Sequence, residues 1–209
     1  MTFSFQHVVE VLEKVDNTIE LLIREDRRVD IRNERYFHHM FSSYLASSST
    51  VEDTWHTLAI YPEHPTKKKL SRDNIRLNDV EYTRNNAIGH GKDGNLDFCM
   101  PSTSSISVEW KGPKSCSEKD LAEVFIKLLC EPASTPKIFA AIFLTKKGNR
   151  EHVPKLKEKI RRSLSFACKV HDIQDLTDRN LYAFVRCRYN TGSKEIIWGA
   201  ITNIEHPFA

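Results

Sequence analysis

Lys137–Thr145, Lys-Ile-Phe-Ala-Ala-Ile-Phe-Leu-Thr, is an almost continuous apolar run of strand length. A strand with one wet face alternates apolar and polar residues, so a run without alternation marks a strand buried on both faces, as in sheets covered by helices on each side. The residues before it predict how it is reached. Ile106–Lys111 reads as a strand stopped by Gly112-Pro113. Ser117 with Asp120 three residues on has capping-box spacing, and Leu121, Val124, Phe125, Leu128 and Leu129 continue as a helical stripe to Cys130, ended by Pro132 and Pro136. Strand, helix, buried strand is a βαβ crossover, expected to be parallel and right-handed. The fold class is therefore α/β.

Phe5 to about Asp26 reads as a long amphipathic helix, with Val8, Leu12, Val15, Ile19, Leu22 and Ile23 at helical spacing. It is a packing helix or a dimer interface. A second helix is expected from about Asp30, a plausible N-cap, to Leu45, before the Ser-rich breaker Ser47-Ser48-Ser49. Glu34, Phe37, His38, Phe41 and Leu45 share one of its faces, so a glutamate heads an otherwise apolar stripe. His38 and His39 are adjacent and point to different sides, which suits structural or DNA-facing roles better than joint ligation of one metal.

Residues 51–84 carry the weakest pattern. Thr57–Tyr61 suits a strand or a helix end, and Val80–Thr83 suits a first sheet strand. Between them, the two prolines of Tyr61-Pro-Glu-His-Pro-Thr-Lys-Lys-Lys predict a loop whose Lys67, Lys68 and Lys69 form a compact positive cluster. Such a loop is either a solvated turn or a phosphate contact. Gly89-His90-Gly91-Lys92-Asp93-Gly94 matches the dinucleotide fingerprint, but that fingerprint needs a strand before it and a helix after it, and here a strand follows. The glycines are expected to turn the chain into that strand, with His90 and Lys92 within reach of a phosphate.

Beyond residue 145, Val153, Leu156, Ile160, Leu164 and Ala167 give a helical stripe, and Lys155, Lys157, Lys159, Arg161, Arg162 and Lys169 crowd the other sides of the same helix, 153–170. Two strands, Leu181–Tyr189 and Glu195–Asn203, follow on either side of the turn Asn190-Thr191-Gly192-Ser193. They extend the sheet or pair in a dimer.

At 209 residues one principal domain is expected: an N-terminal helix over 1–29, a core over 30–145, and a helix plus hairpin over 146–209. A net charge of +3 is too small to announce nucleic acid by itself, so any positive surface is local. Five cysteines without Cys-Xaa-Xaa-Cys spacing argue against a zinc ribbon or a disulfide scaffold and for free thiols in a reducing compartment. The N-terminus lacks a secretory pattern and no apolar stretch reaches the length of a membrane span, so a soluble, cytoplasmic protein is expected.

Chemistry gathers at 95–111. Alternation on Ile106–Lys111 sends Ile106, Val108 and Trp110 to one side and Ser107, Glu109 and Lys111 to the other. On the preceding strand, Asn95–Met100, alternation assigns Leu96 and Phe98 to the apolar side and leaves Asn95, Asp97 and Cys99 on the polar side. Pairing of the two strands would bring Asp97, Glu109 and Lys111 together. Two neighbouring carboxylates repel, a divalent cation between them removes that repulsion, and Mg²⁺ suits the hard oxygen ligands. A lysine beside the ion serves a bound water or the charge on a phosphate.

Asp97, eleven intervening residues, then Glu109-Trp110-Lys111 resembles the active-site signature of the PD-(D/E)XK nuclease superfamily, the restriction-endonuclease-like fold. Leu96 stands where that motif usually has proline. The resemblance covers roughly 30–145 and implies a mixed central sheet flanked by helices, in the order helix, strand, strand, catalytic strand, helix, strand. It implies an Mg²⁺-dependent DNA endonuclease, with Mn²⁺ able to substitute. Asp97 and Glu109 would hold metal, Glu34 would add a carboxylate from the helix before the sheet, and Lys111 would serve the attacking water. Glu34 paired with Arg32 or Arg35 is the alternative. DNA is the implied partner, touched by Lys155, Lys159 and Arg162, and a homodimer is expected where both strands of a duplex are cut. A non-catalytic nucleic-acid-binding or assembly protein on the same scaffold is the other reading, with Glu109 and Lys111 merely an ion pair.

Overall fold

The computed structural model describes residues 3–24, 34–48, 61–70, 92–100, 105–112, 117–145, 152–189 and 194–208. In chain order these form α1 (Phe5–Arg24), α2 (Glu34–Ser48), β1 (Tyr61–Leu70), β2 (Lys92–Met100), β3 (Ile106–Lys111), α3 (Glu118–Leu129), β4 (Lys137–Thr145), α4 (His152–His171), β5 (Leu181–Tyr189) and β6 (Lys194–Ala200). All six strands join one sheet in the order of the sequence. The first two pairings are antiparallel, β3–β4 and β4–β5 are parallel, and β5–β6 is antiparallel. The sheet is thus mixed, as expected, and β4 at its centre is parallel to both neighbours.

β4 shows why its sequence does not alternate. Ile138, Ala140 and Ile142 pack with α1 and α2, whereas Phe139, Ala141 and Phe143 pack with α3 and α4. Helices therefore cover both faces. The first layer rests on Val8, Val11, Leu12, Val15 and Ile19 of α1 and Phe37, Phe41 and Leu45 of α2, all fully buried. Most of the α1 stripe, Val8, Leu12, Val15 and Ile19, is thus consumed within the chain. The second layer joins Leu121, Phe125 and Leu128 of α3 to Leu156, Ile160 and Leu164 of α4. At the start of α3 the Asp120 N–H donates to Ser117 Oγ and the Ser117 N–H donates to Asp120 Oδ2, both at 3.1 Å, completing the capping box.

Three expectations change. Tyr61–Leu70 is a strand, not a loop, with an irregularity between Pro65 and Lys69 that spans Lys67 and Lys68. Among the described strands β1 is the last at its end of the sheet, where a strand tolerates residues without an N–H. The Ser-rich stretch does not end α2 before Ser47. Helix continues through Ser47 and Ser48, and Ser47 Oγ donates to the Tyr44 carbonyl at 3.1 Å. β5 and β6 extend the sheet, but β6 stops at Ala200 rather than Asn203. The residues suggested for a first strand, Val80–Thr83, lie outside those described, as does His90. No helix among the described residues is long and apolar enough to cross a membrane.

Candidate metal and phosphate site

β2 and β3 pair through Met100↔Ile106, Cys99↔Ser107 and Phe98↔Val108, and then part. Where backbone pairing ends, side chains take over. The Trp110 N–H donates to Asp97 Oδ2 at 2.6 Å, and the Asp97 N–H donates to Glu109 Oε1 at 3.1 Å. Asp97 thus stands at a fork between the strands. The alternation expected for β2 fails there, because Phe98 packs with α1 and α2 while Leu96 belongs to the core under α3 and α4. The supposed polar side of β3 is likewise covered by helices, which leaves Ser107 and Glu109 fully buried.

α2 supplies the rest. Its first residue, Glu34, accepts from Lys111 Nζ and from the Gly112 N–H, each at 3.3 Å. A Cβ on Gly112 would meet Glu34 Cβ at 3.1 Å, Cα at 3.2 Å and N at 3.3 Å, so the close approach of helix and strand end depends on glycine. One turn along, His38 brings Nε2 to 3.6 Å from Asp97 Oδ2 and 3.9 Å from Glu34 Oε1. That nitrogen is shielded from solvent and has no hydrogen-bond partner. One donor atom each from Glu34, His38 and Asp97 lie within 4.8 Å of one another, a spacing that a metal ion can bridge.

Glu109 is directed elsewhere. Its Oε1 and Oε2 accept from Lys127 Nζ of α3 at 2.7 and 2.6 Å. Burial pushes the Glu109 pKa up to about 8, with Asp97 adding to the rise and Lys127 opposing it. Burial also raises the Asp97 pKa, against the pull of Lys127, His38, the Trp110 N–H and Lys111. For Lys111, burial disfavours the charge, but Glu34, Asp97 and Glu109 outweigh it and hold the ammonium above its ordinary pKa. The Lys111 ammonium is thus held in its charged form by the three carboxylates around it.

All four residues expected at the site, Glu34, Asp97, Glu109 and Lys111, converge at one end of β2 and β3. His38 and Lys127 were not expected there. His38 carried a signal, since it lies one helical turn from Glu34 on the same face; Lys127 carried a fainter one, a lysine inside the apolar run Val124–Cys130. Of the basic residues expected to meet phosphate, Lys155, Lys159 and Arg162 are exposed on α4. Arg162 Nε lies 3.1 Å from Glu118 Oε1 and 3.5 Å from Glu158 Oε1, and Arg161 is bound by Glu158 and Glu205. The arginines of this helix are thus partly neutralised within the chain. Lys67, Lys68 and Lys69 lie on β1, and Lys92 opens β2.

No protein-family model matches the chain, and no curated protein or solved structure is significantly similar to it.

Proposed function

We propose that the chain is a divalent-metal-dependent endonuclease of PD-(D/E)XK type that hydrolyses phosphodiester bonds in DNA. The observation that carries this reading is the fork itself: Asp97, Glu109 and Lys111 meet where β2 and β3 part, with Glu34 brought in by the preceding helix. The donor set fits a cation. Asp97 and Glu34 offer hard oxygens suited to Mg²⁺, and the unpartnered nitrogen of His38 extends the fit to Mn²⁺. Such an ion, when bound, supplies positive charge to a phosphate and acidifies a water.

The chain's own residues hold and complete that site. The Trp110 N–H fixes one oxygen of Asp97, and Glu109, itself held by Lys127, receives the Asp97 N–H and sets the strand there. Lys111, kept cationic by Glu34, places a second positive charge where a phosphate oxygen gains charge during displacement. The neutralised Glu109–Lys127 pair favours the alternative of a non-catalytic nucleic-acid-binding protein, because it removes a carboxylate from the expected metal set.

Incubation of the purified protein with supercoiled plasmid and with single-stranded DNA, with Mg²⁺, Mn²⁺ or chelator, separates the two. Metal-dependent cleavage that disappears in Lys111→Ala while DNA binding persists supports the hydrolase. Binding without cleavage under every condition rejects it. Cutting both strands in one encounter would require two such sites related by symmetry. Light scattering that shows a dimer, alone or on DNA, supports that arrangement; a monomer in both conditions points to nicking.

A further inference from the structure

We infer that Lys127 is a built-in cation that occupies Glu109, so that the site takes one divalent ion, at Glu34, His38 and Asp97, and not a second at Glu109; this rests on the metal-dependent reading above. With the Lys127 ammonium on both its oxygens, Glu109 is held as the carboxylate, which has about four lone-pair positions on its two oxygens. Lys127 Nζ takes one on each oxygen of Glu109, at 2.7 and 2.6 Å, and the Asp97 N–H takes another on Oε1. A single position on Oε2 is left, on a side chain with no exposure to solvent.

An ammonium that touches both oxygens covers the edge from which a metal would bind them bidentately. A divalent ion drawn to Glu109 would have to sit beside that ammonium or expel it. The first is opposed by like-charge repulsion in a buried setting, the second by the cost of stranding a lysine whose side chain is largely buried. At the other carboxylates the geometry differs. Lys111 Nζ touches only Oε1 of Glu34, at 3.3 Å, and Asp97 Oδ2 faces the unpartnered His38 nitrogen. The cation-binding capacity of the fork is therefore divided: α3 supplies one positive charge permanently, and the α2 side is left for an exchangeable ion. Glu109 then acts as a positioning residue, carrying the Asp97 backbone rather than a metal.

Mn²⁺ titration of the full chain without DNA, by calorimetry and by electron paramagnetic resonance of the free ion, tests this. Wild type should bind one Mn²⁺, and Glu109→Gln should bind one with essentially unchanged affinity. Lys127→Ala, which uncovers both oxygens, should bind a second, and Lys127→Ala combined with Glu109→Gln should return to one. Circular dichroism accompanies each protein. If Lys127→Ala does not fold, Lys127→Met takes its place under the same criterion, and the wild-type stoichiometry decides beside it. Two ions in wild type, or one in a folded Lys127→Ala, overturn the inference while leaving the hydrolase reading intact. No Mn²⁺ bound at all removes both.

Discussion

Gly112 lies so close to the first residue of α2 that a methyl group on it would sit 3.1 Å from Glu34 Cβ, and its N–H donates to the Glu34 carboxylate at 3.3 Å. The clash would be with backbone and Cβ atoms, which cannot swing aside as the end of a flexible side chain would. Gly112→Ala should therefore push α2 away from β3. Stability should fall by about 1–3 kcal/mol, as in overpacked sites generally. Mn²⁺ affinity should fall with it, because Glu34 and His38 move together away from Asp97. Denaturant titration and calorimetry check the two effects, and unchanged metal affinity would exclude Glu34 and His38 as ligands.

Asp16 of α1 is buried against two arginines of β5. Arg188 Nε donates to its Oδ1 at 2.8 Å, and Arg186 Nε lies 3.4 Å from Oδ2. Removing this carboxylate takes the counter-charge from Arg186 and leaves Arg188 with Glu20 alone, whose Oε2 accepts from Nη1 at 2.9 Å. Asp16→Ala should destabilise the fold by about 3–5 kcal/mol, the range for breaking a buried pair on one side. Chemical denaturation measures it; a loss below about 1 kcal/mol would place the arginines in contact with solvent.

Lys137 carries its ammonium into a ring of carbonyls, donating at 2.7 Å to Pro132, Thr135 and Arg179. Burial, aided by Arg179, brings its pKa down from 10.5 to about 8. The unfolded chain keeps this proton up to 10.5, so between about 8 and 10.5 it binds more protons than the native chain and stability from this group rises with pH. Below about 8 the cost of burying the charge is fully present. Lys137→Met removes the titration. Wild type should gain on the variant across that interval in denaturation experiments, and parallel curves would mean that the three carbonyls hold the proton throughout.

Lys155, Lys159 and Arg162 are all exposed on α4, and the Arg162 guanidinium rests on Glu118 and Glu158. Replacing both lysines with Ala should lower the slope of log affinity for duplex DNA against log salt by roughly 0.9 for each phosphate no longer neutralised. Equal slopes in both proteins would assign the helix to plain surface and move the search to Lys67, Lys68 and Lys69.

Elements whose signal is local were legible in the sequence. β3, β4 and β5 have their expected ends, because apolar runs and the breakers beside them decide those ends within a few residues. The capping box of α3 was equally plain. β1 was not, since its prolines and lysines are loop-like by composition and only its place at the end of the described sheet makes them acceptable. At the site, strand alternation and pairing sufficed to bring Asp97, Glu109 and Lys111 together, and the resemblance supplied Glu34. The sequence did not show that β2 reverses its faces at Asp97, because alternation assumes regular pairing and pairing ends at Phe98↔Val108. Nor did it show Lys127 on Glu109, a contact made only after α3 folds back over β3.

The bond between Asp16 and Arg188 joins residues 172 positions apart, and α1, besides meeting α2, lies over Ile138, Ala140 and Ile142 of β4 and Phe184 of β5. During synthesis α1 therefore emerges long before the strands that bury Val8, Leu12, Val15 and Ile19. Its apolar stripe and the Asp16 carboxylate meet their partners on β4 and β5 only once those strands have been made. Such a chain folds late and slowly, because loop closure over this span precedes the contacts that reward it.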